Sequence, residues 1–364
     1  MLRSKSRPVS TSNDQVDIII ACHDPGRRLQ RAIESVLSSN GTNVGVIVVA
    51  HNLPIASLSE TVPAELRDRV RWLQCADGIH SPAGPFNLGL AASRAEWVGL
   101  LGSDDYLEPG AVDRWLQLSS GADAVIARLR HDSGGAVHTP PVRPVPHRRR
   151  TAVADRLYYR SAPLGLTRRT FLTSRHIVCA EGLTTGEDLT VSIPLWTWGR
   201  VRVQRSGPSY VIGSDASNRV TMRLAPLKEE LRHTEVVWRS SWMRRLSVGQ
   251  RRALGTKYLR IHFFGAAYYR ATSGHWSEED RRDLAQAIKL VLELAPGCHL
   301  PLSRIDRQLL AALADPTTPV EELNRLAIAR RRFGQVDALI PADWRYLLHR
   351  EAPLRFMAAS FLTR

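Results

Sequence analysis

The sequence predicts an α/β fold, a Rossmann-like and mostly parallel sheet followed by a helical C-terminal domain. Three observations carry that expectation. Two β-branched runs, Val16–Cys22 (VDIIIAC) and Asn43–Ala50 (NVGVIVVA), enclose a helix-spaced set of Leu29, Ala32, Ile33, Val36 and Leu37. Strand, helix and strand in so short a stretch form a βαβ unit, which requires parallel strands and a right-handed crossover. Polar clusters close three of the predicted strands, as in open parallel sheets that bind ligands beyond their carboxyl ends. Beyond about Met222 the patterning turns helical almost throughout.

Residues 1–15 are basic and Ser-rich without an apolar run, so they read as a disordered lead-in and not as a signal peptide. The first strand is apolar on both faces and breaks at the turn cluster His23-Asp24-Pro25-Gly26. The helix after it stops at Ser38-Ser39-Asn40-Gly41. Val70–Cys75 reads as a third strand, Asn87–Arg94 as a short helix, Trp97–Leu101 as a fourth strand and Ala122–Ala127 as a fifth. Residues 131–150 are rich in Gly, Pro, His and Arg, which predicts a long excursion outside the core. Helical patterning resumes near Asp188, and Val201–Gln204 reads as an edge strand. The expected organisation is an α/β domain over 16–221 and a helical domain over 222–364. Helices are expected there over Leu227–Leu246, Ser247–Ala271, Glu278–Leu294, Ile305–Leu313 and Val320–Arg332.

Composition narrows the function. With 43% hydrophobic and 23% charged residues in 364, the chain is globular and long enough for two cores. Lys+Arg 50 against Asp+Glu 35 leaves +15, and all but four of the basic residues are arginine. Part of that excess reflects GC-rich bacterial coding. The rest favours anionic partners: nucleotide phosphates, a phospholipid surface or an anionic polymer. Four cysteines without CxxC spacing argue against a disulfide framework or structural zinc and fit a reducing cytoplasm. No run approaches the ~18 apolar residues of a membrane span. The expected location is therefore cytoplasmic, with Trp238, Trp242, Met243, Arg244, Arg245, Arg251 and Arg252 offering a peripheral contact with the anionic inner face of the plasma membrane. The same residues also suit an amphipathic helix packed on the preceding domain. GxGxxG and GxxxxGKS/T are both absent, which argues against a dinucleotide oxidoreductase and a P-loop NTPase.

The polar strand ends are Cys22-His23-Asp24, His51-Asn52 and Ser103-Asp104-Asp105. Paired aspartates without Cys or His spacing nearby suit Mg²⁺ or Mn²⁺, which takes one or two carboxylates plus substrate phosphate oxygens. They equally suit an Asx-type turn opening the helix near Pro109. A second acidic pair, Glu187-Asp188, follows Glu181-Gly182-Leu183-Thr184-Thr185-Gly186; helix capping is its plain structural account.

Four segments in order resemble a family 2 glycosyltransferase of the GT-A fold, the nucleotide-sugar-dependent inverting class. They are IIIACHDPGRRLQRAIESVL, VIVVAHN, GPFNLGLAASRAEWVGLLGSDDYLEPGAV and EGLTTGEDL, spread over residues 16 to 220. The resemblance implies that Ala21, Cys22, His23 and Asp24 line the base and ribose of the donor, with His23 in place of the usual stacking Tyr. His51 and Asn52 stand in the base-reading region, where Ala50-His51-Asn52 replaces Asp-Asp-Gly. Asn87 and Gly89 match Asn-x-Gly, with Phe86 where a basic residue is common. Gly102-Ser103-Asp104 replaces Asp-X-Asp, so Ser103 and Asp104 contact the donor, and Asp104 and Asp105 hold the divalent cation. Glu187 and Asp188 match the catalytic pair unchanged, with Asp188 as base. Arg219 is the residue expected to pair with the leaving diphosphate, and Trp196 and Trp198 are candidates to stack on an acceptor sugar.

The implied reaction is one in-line displacement at the anomeric carbon, in which a carboxylate takes the acceptor proton and a cation stabilises the leaving diphosphate. The expected function is transfer of a hexosyl or N-acetylhexosaminyl group from a nucleotide-diphosphate donor, with UDP the expected nucleotide. The acceptor would be a hydroxyl of a cell-surface glycan, glycopolymer or lipid-linked acceptor in bacterial cell-wall synthesis. A non-catalytic glycan- or polymer-binding protein of the same fold is the alternative, and a nucleotidyltransferase the next. Nucleic-acid binding lacks any motif beyond the charge.

Overall fold

The protein is described as a computed structural model covering residues 15–38, 40–41, 43–144, 150–214 and 225–362. Its strands are β1 (Val16–Cys22), β2 (Val44–His51), β3 (Val70–Cys75), β4 (Trp97–Gly102), β5 (Tyr106–Leu107), β6 (Ala124–Ile126), β7 (Leu129–His131), β8 (Ala136–Val137), β9 (Gly165–Arg168), β10 (Val201–Val203) and β11 (Tyr210–Ile212). Seven of them form one sheet in the order β10-β6-β9-β4-β1-β2-β3, and β5-β11-β7-β8 form a second. In the large sheet β1 lies parallel to β2 and β4, β2 to β3, and β6 to β10. Only β9 runs antiparallel, between β4 and β6. The mostly parallel sheet, with β10 at its edge, is the predicted one.

Alternation along β1 feeds two cores, because successive side chains leave a strand on opposite faces. Ile18 and Ile20 pack with Val36 and Trp115 on one face. Ile19 packs on the other with Ile47, Val98, Tyr258, Phe263 and Leu284, so the helical region shares its core with that face of the sheet. The helix Ala83–Ala92 starts four residues before the expected Asn87. Pro85 is tolerated there because the first turn needs no intrahelical N–H. Gly89 lets that helix sit on β1: a Cβ would lie 2.4 Å from Ile19 Cγ2.

Two expectations are corrected. The 131–150 stretch is not wholly outside the core, since Val142 and Arg150 are buried and β8 lies within it. Arg143 and Arg150 are drawn in by the fully buried Asp155, which they meet at 2.7 Å and 2.8 Å. The two longest expected helices are also broken. The first divides into Leu227–Glu230, Arg232–Trp238 and a 3-10 turn at Ser241–Arg245. The second is Val248–Lys257, opened by a Ser247–Gln250 capping box, then a π-turn at Tyr258–Phe263 and a helix at Phe264–Ser273. Helices at Glu278–Leu294, Arg304–Ala314, Val320–Ala329 and Pro353–Leu362 complete the region.

Buried Glu351 fastens this region to the sheet domain. Its carboxylate lies 3.6 Å from Arg156 and 3.2 Å from Arg260 and accepts a 2.9 Å hydrogen bond from Tyr159. Of the stretch expected to face a membrane, Trp238 and Met243 are buried in the core, whereas Arg244, Arg245 and Arg252 are exposed. Among the described residues no helix is long and apolar enough to cross a membrane.

Candidate active site

Parallel register assembles the first half of the site. Cys22 lies beside Ala50, and Ala21 beside Gly102, so the carboxyl ends of β1, β2 and β4 open on one edge. Ala21, Cys22, His23, Asp24, His51, Asn52, Ser103, Asp104 and Asp105 are all at or just beyond that edge. His23 is exposed at its mouth, whereas Cys22 and Ser103 are buried beneath it. Asp24 shapes the turn, accepting from Gly26 N–H at 2.8 Å. Asp104 lies 3.0 Å from Arg27, and its carbonyl accepts from Arg31 Nη2 at 2.6 Å.

The two aspartates separate by role. Asp105 accepts from the Tyr210 hydroxyl at 2.5 Å on one oxygen and from Gly213 N–H at 2.9 Å on the other. That carboxylate ties β11 to the end of β4. A divalent cation needs only one or two carboxylates when a diphosphate supplies the remaining oxygens. Asp104 fits that donor set as a single ligand.

Two residues expected at the donor hold loops. Asn52, with φ 55°, donates to Ile79 O at 3.2 Å and accepts from Gly78 N–H at 2.9 Å. Asn87 accepts from Cys179 N–H at 2.9 Å and donates to Cys179 O at 3.0 Å and Glu181 Oε1 at 3.1 Å. Through these bonds Asn52 shapes the loop after β3 and Asn87 holds the start of the acidic-pair loop. Arg219 lies outside the described residues.

Asp77 is a site residue that the sequence reading missed. It meets buried His51 Nε2 at 2.9 Å, and the ligand atoms of His51, Cys75 and Asp77 lie within 4.8 Å of one another. The Ile79 backbone N–H, chiefly, holds the Asp77 carboxyl down at about 2. A carboxylate is therefore present beside β2 although Ala50 and His51 replace the acids there. Its turn context, Asp77-Gly78, was the available signal.

The second half of the site is the loop before the helix Leu189–Trp198. Asn87 clamps its start, and its end rests on the helical region. Thr185 donates to Glu230 O at 3.1 Å, and Arg232 donates to Gly182 O at 3.3 Å. Gly186 has φ +73° and presses on His233, whose ring a Cβ would approach to 2.8 Å. Glu187 and Asp188 are half-buried at the end of this loop. Burial, then the Asp188 charge, pushes Glu187 up to about 8. Burial also raises Asp188, against the opposing pull of Lys257. A carboxyl raised as far as that of Glu187 accepts a proton near neutral pH.

At the far end of that helix, Trp198 and Trp242 meet edge to face at 6.3 Å. With Arg175, Ile177, Pro194 and Arg245 they line a cavity of about 250 Å³. Trp196 is buried and donates to Arg160 O at 2.7 Å, which removes it as a stacking surface and leaves Trp198.

Residues 17–174 match the Glycosyl transferase family 2 sequence model. The succinoglycan biosynthesis protein ExoO of Rhizobium meliloti is 33% identical over 113 residues, 31% of this chain and 32% of that protein. An uncharacterized glycosyltransferase of Nostoc sp., alr2836, is 27% identical over 117 residues, 30% of this chain and 34% of that one. The matches thus span about a third of these relatives. The fold is similar to S. aureus TarS 1–349 crystallised with UDP-GlcNAc, with a TM-score of 0.69 at 16% identity, covering 88% of this chain and 92% of that one. The same TarS fragment with UDP gives 0.65. The family match ends before Glu187 and Asp188, whereas the structural match embraces both halves of the chain. Residues 17–174 are thus similar to glycosyltransferase family 2, and the chain has a GT-A-like fold.

Proposed function

We propose that the protein is an inverting glycosyltransferase that moves a sugar from a UDP-type donor to a hydroxyl of a cell-surface glycan or glycopolymer. The observation that carries this reading is the Glu187–Asp188 pair. It is acidic, half-buried, raised in proton affinity and set beside a family 2 domain. The TarS complexes support the donor class, and the succinoglycan role in the name of the Rhizobium relative supports the acceptor class.

In this mechanism Asp188 takes the proton of the acceptor hydroxyl. The acceptor oxygen bonds to the anomeric carbon as the bond from that carbon to the diphosphate oxygen breaks. The electron pair leaves with the diphosphate, and the configuration inverts. Arg27 and Arg31, at the mouth of β1 and β4, offset the charge gathering on the diphosphate. Asp104 would hold the divalent cation, which supplies Lewis-acid stabilisation of that leaving group. Asp77 offers the acceptor oxygens for a pyrimidine N–H that Ala50 does not. Trp198 and the arginines around it offer a platform for an anionic or neutral glycan.

Donor binding tests the first half. Calorimetric titration of UDP is expected to show tighter binding with Mn²⁺ than with EDTA, and Asp104→Ala is expected to abolish that difference. Equal affinity in both conditions would remove the cation from donor binding. The pH profile tests the second half. A base of raised proton affinity must be unprotonated to act, so kcat is expected to climb with pH on a limb above the ordinary ~4 of a carboxyl. A limb at about 4 would contradict it.

Gly186→Ala tests the loop. The new methyl would require a strained backbone and displace His233, shifting the pair from its productive place. Misplacement by about 1 Å is worth ~10²-fold, so kcat is expected to fall by about that factor while UDP affinity holds. A wild-type kcat would show that the loop position does not matter.

A further inference from the structure

Lys257 is fully buried at the end of the helix Val248–Lys257, where the mechanism above gives it no task. The π-turn that follows explains its contact. Winding with an i to i+5 period brings residues five apart together. Lys257 Nζ accordingly meets His262 Nε2 at 2.6 Å and lies 5.2 Å from the centre of the Tyr258 ring. The His262 ring lies tilted with its centroid 4.5 Å from that of His233, the ring on which Gly186 presses. The base loop therefore rests on a continuous polar cluster built by the helical region.

We propose that Lys257, braced by His262 on the π-turn, is a positioning residue that sets the ionisation of Asp188 and keeps a carboxylate ready for the acceptor hydroxyl. This rests on the reading of Asp188 as base. A buried amine is costly unless an opposite charge or a function retains it. The carboxylate that Lys257 feels is Asp188. Burial pulls Lys257 down to about 7, and Asp188 opposes that fall. The groups facing the cluster are Cys179, Glu187 and Asp188 from the loop, His233 from the helix Arg232–Trp238, and Tyr258 and His262 from the π-turn. Burial and the Lys257 charge keep both histidines low, so they remain neutral partners. Around neutral pH the cationic amine favours the Asp188 carboxylate over its acid. When the amine loses its proton at higher pH, that support is no longer needed.

The chain has four lysines, which makes Lys257 visible by ¹³C NMR of the ε-carbons. Lys257→Met identifies its signal by loss; Lys5→Arg, with Lys228→Arg and Lys289→Arg at exposed positions, identifies it by elimination if that variant does not fold. In Asp188→Asn the Lys257 titration midpoint is expected to move to lower pH by about one unit, a tenfold change in proton affinity. An unchanged midpoint overturns the proposal, whatever the enzyme's activity. In parallel, Lys257→Met is expected to lose about tenfold of kcat near pH 6.5 and converge on wild type above pH 9, with UDP affinity unchanged. An equal loss at every pH would mark Lys257 as merely structural and also overturns it. Full kcat in Asp188→Asn would fail the base assignment alone, and the ¹³C shift would still decide the coupling.

Discussion

Asp188→Asn is expected to lower kcat by about 10²–10⁴-fold, the usual worth of a positioned general base, while UDP affinity stays near wild type. The amide keeps the size of the carboxylate and its place at the start of the helix Leu189–Trp198 but has no basic oxygen to take a proton. Glu187→Gln is the necessary companion. Glu187 adjoins the base, and burial and the Asp188 charge raise its own proton affinity, so its loss is expected to leave substantial activity. A dead Glu187→Gln beside an active Asp188→Asn would exchange the two assignments. Full activity in both would place the base elsewhere.

Glu351→Ala is expected to cost ~3–5 kcal/mol, because it strands Arg156 and Arg260 as buried cations without their shared carboxylate. The lost hydrogen bond of Tyr159 adds to the same effect. The measurement is the urea unfolding midpoint against wild type. A change below about 1 kcal/mol would show that the pair is replaced by water or by other groups. Arg260 belongs to the π-turn, so the same variant is expected to loosen the support of the base loop.

The parallel strands were legible because both of their faces are buried, which writes them as continuous apolar runs: Val16–Cys22 and Val44–His51 stand almost where those runs do. The strand Gly165–Arg168 was not legible. It is four residues long, holds a Gly and an Arg, and takes its place only by pairing on both sides. The 247–271 helix read as one unit because a π-turn keeps helical spacing approximately and leaves no Gly or Pro mark.

The site divides in the same way. Asp104 and the Glu187–Asp188 pair stood out as candidates because their neighbours in sequence form the motif. The loop bonds of Asn52 and Asn87 were not legible, since an amide that bonds backbone looks the same in sequence as one that bonds a ligand. Lys257, His233 and His262 carried no signal at all. They meet the base loop only through tertiary packing, at separations no local pattern spans.

The most direct test of the central claim is ¹H NMR of the first sugar product formed when the enzyme turns over a UDP-sugar of known anomeric configuration, by transfer or by slow transfer to water. Displacement by an oxygen activated at Asp188 predicts a first product of opposite configuration, formed by wild type and reduced at least ~10²-fold in Asp188→Asn. A first product with the donor's own configuration would contradict a single displacement and the role given to Asp188.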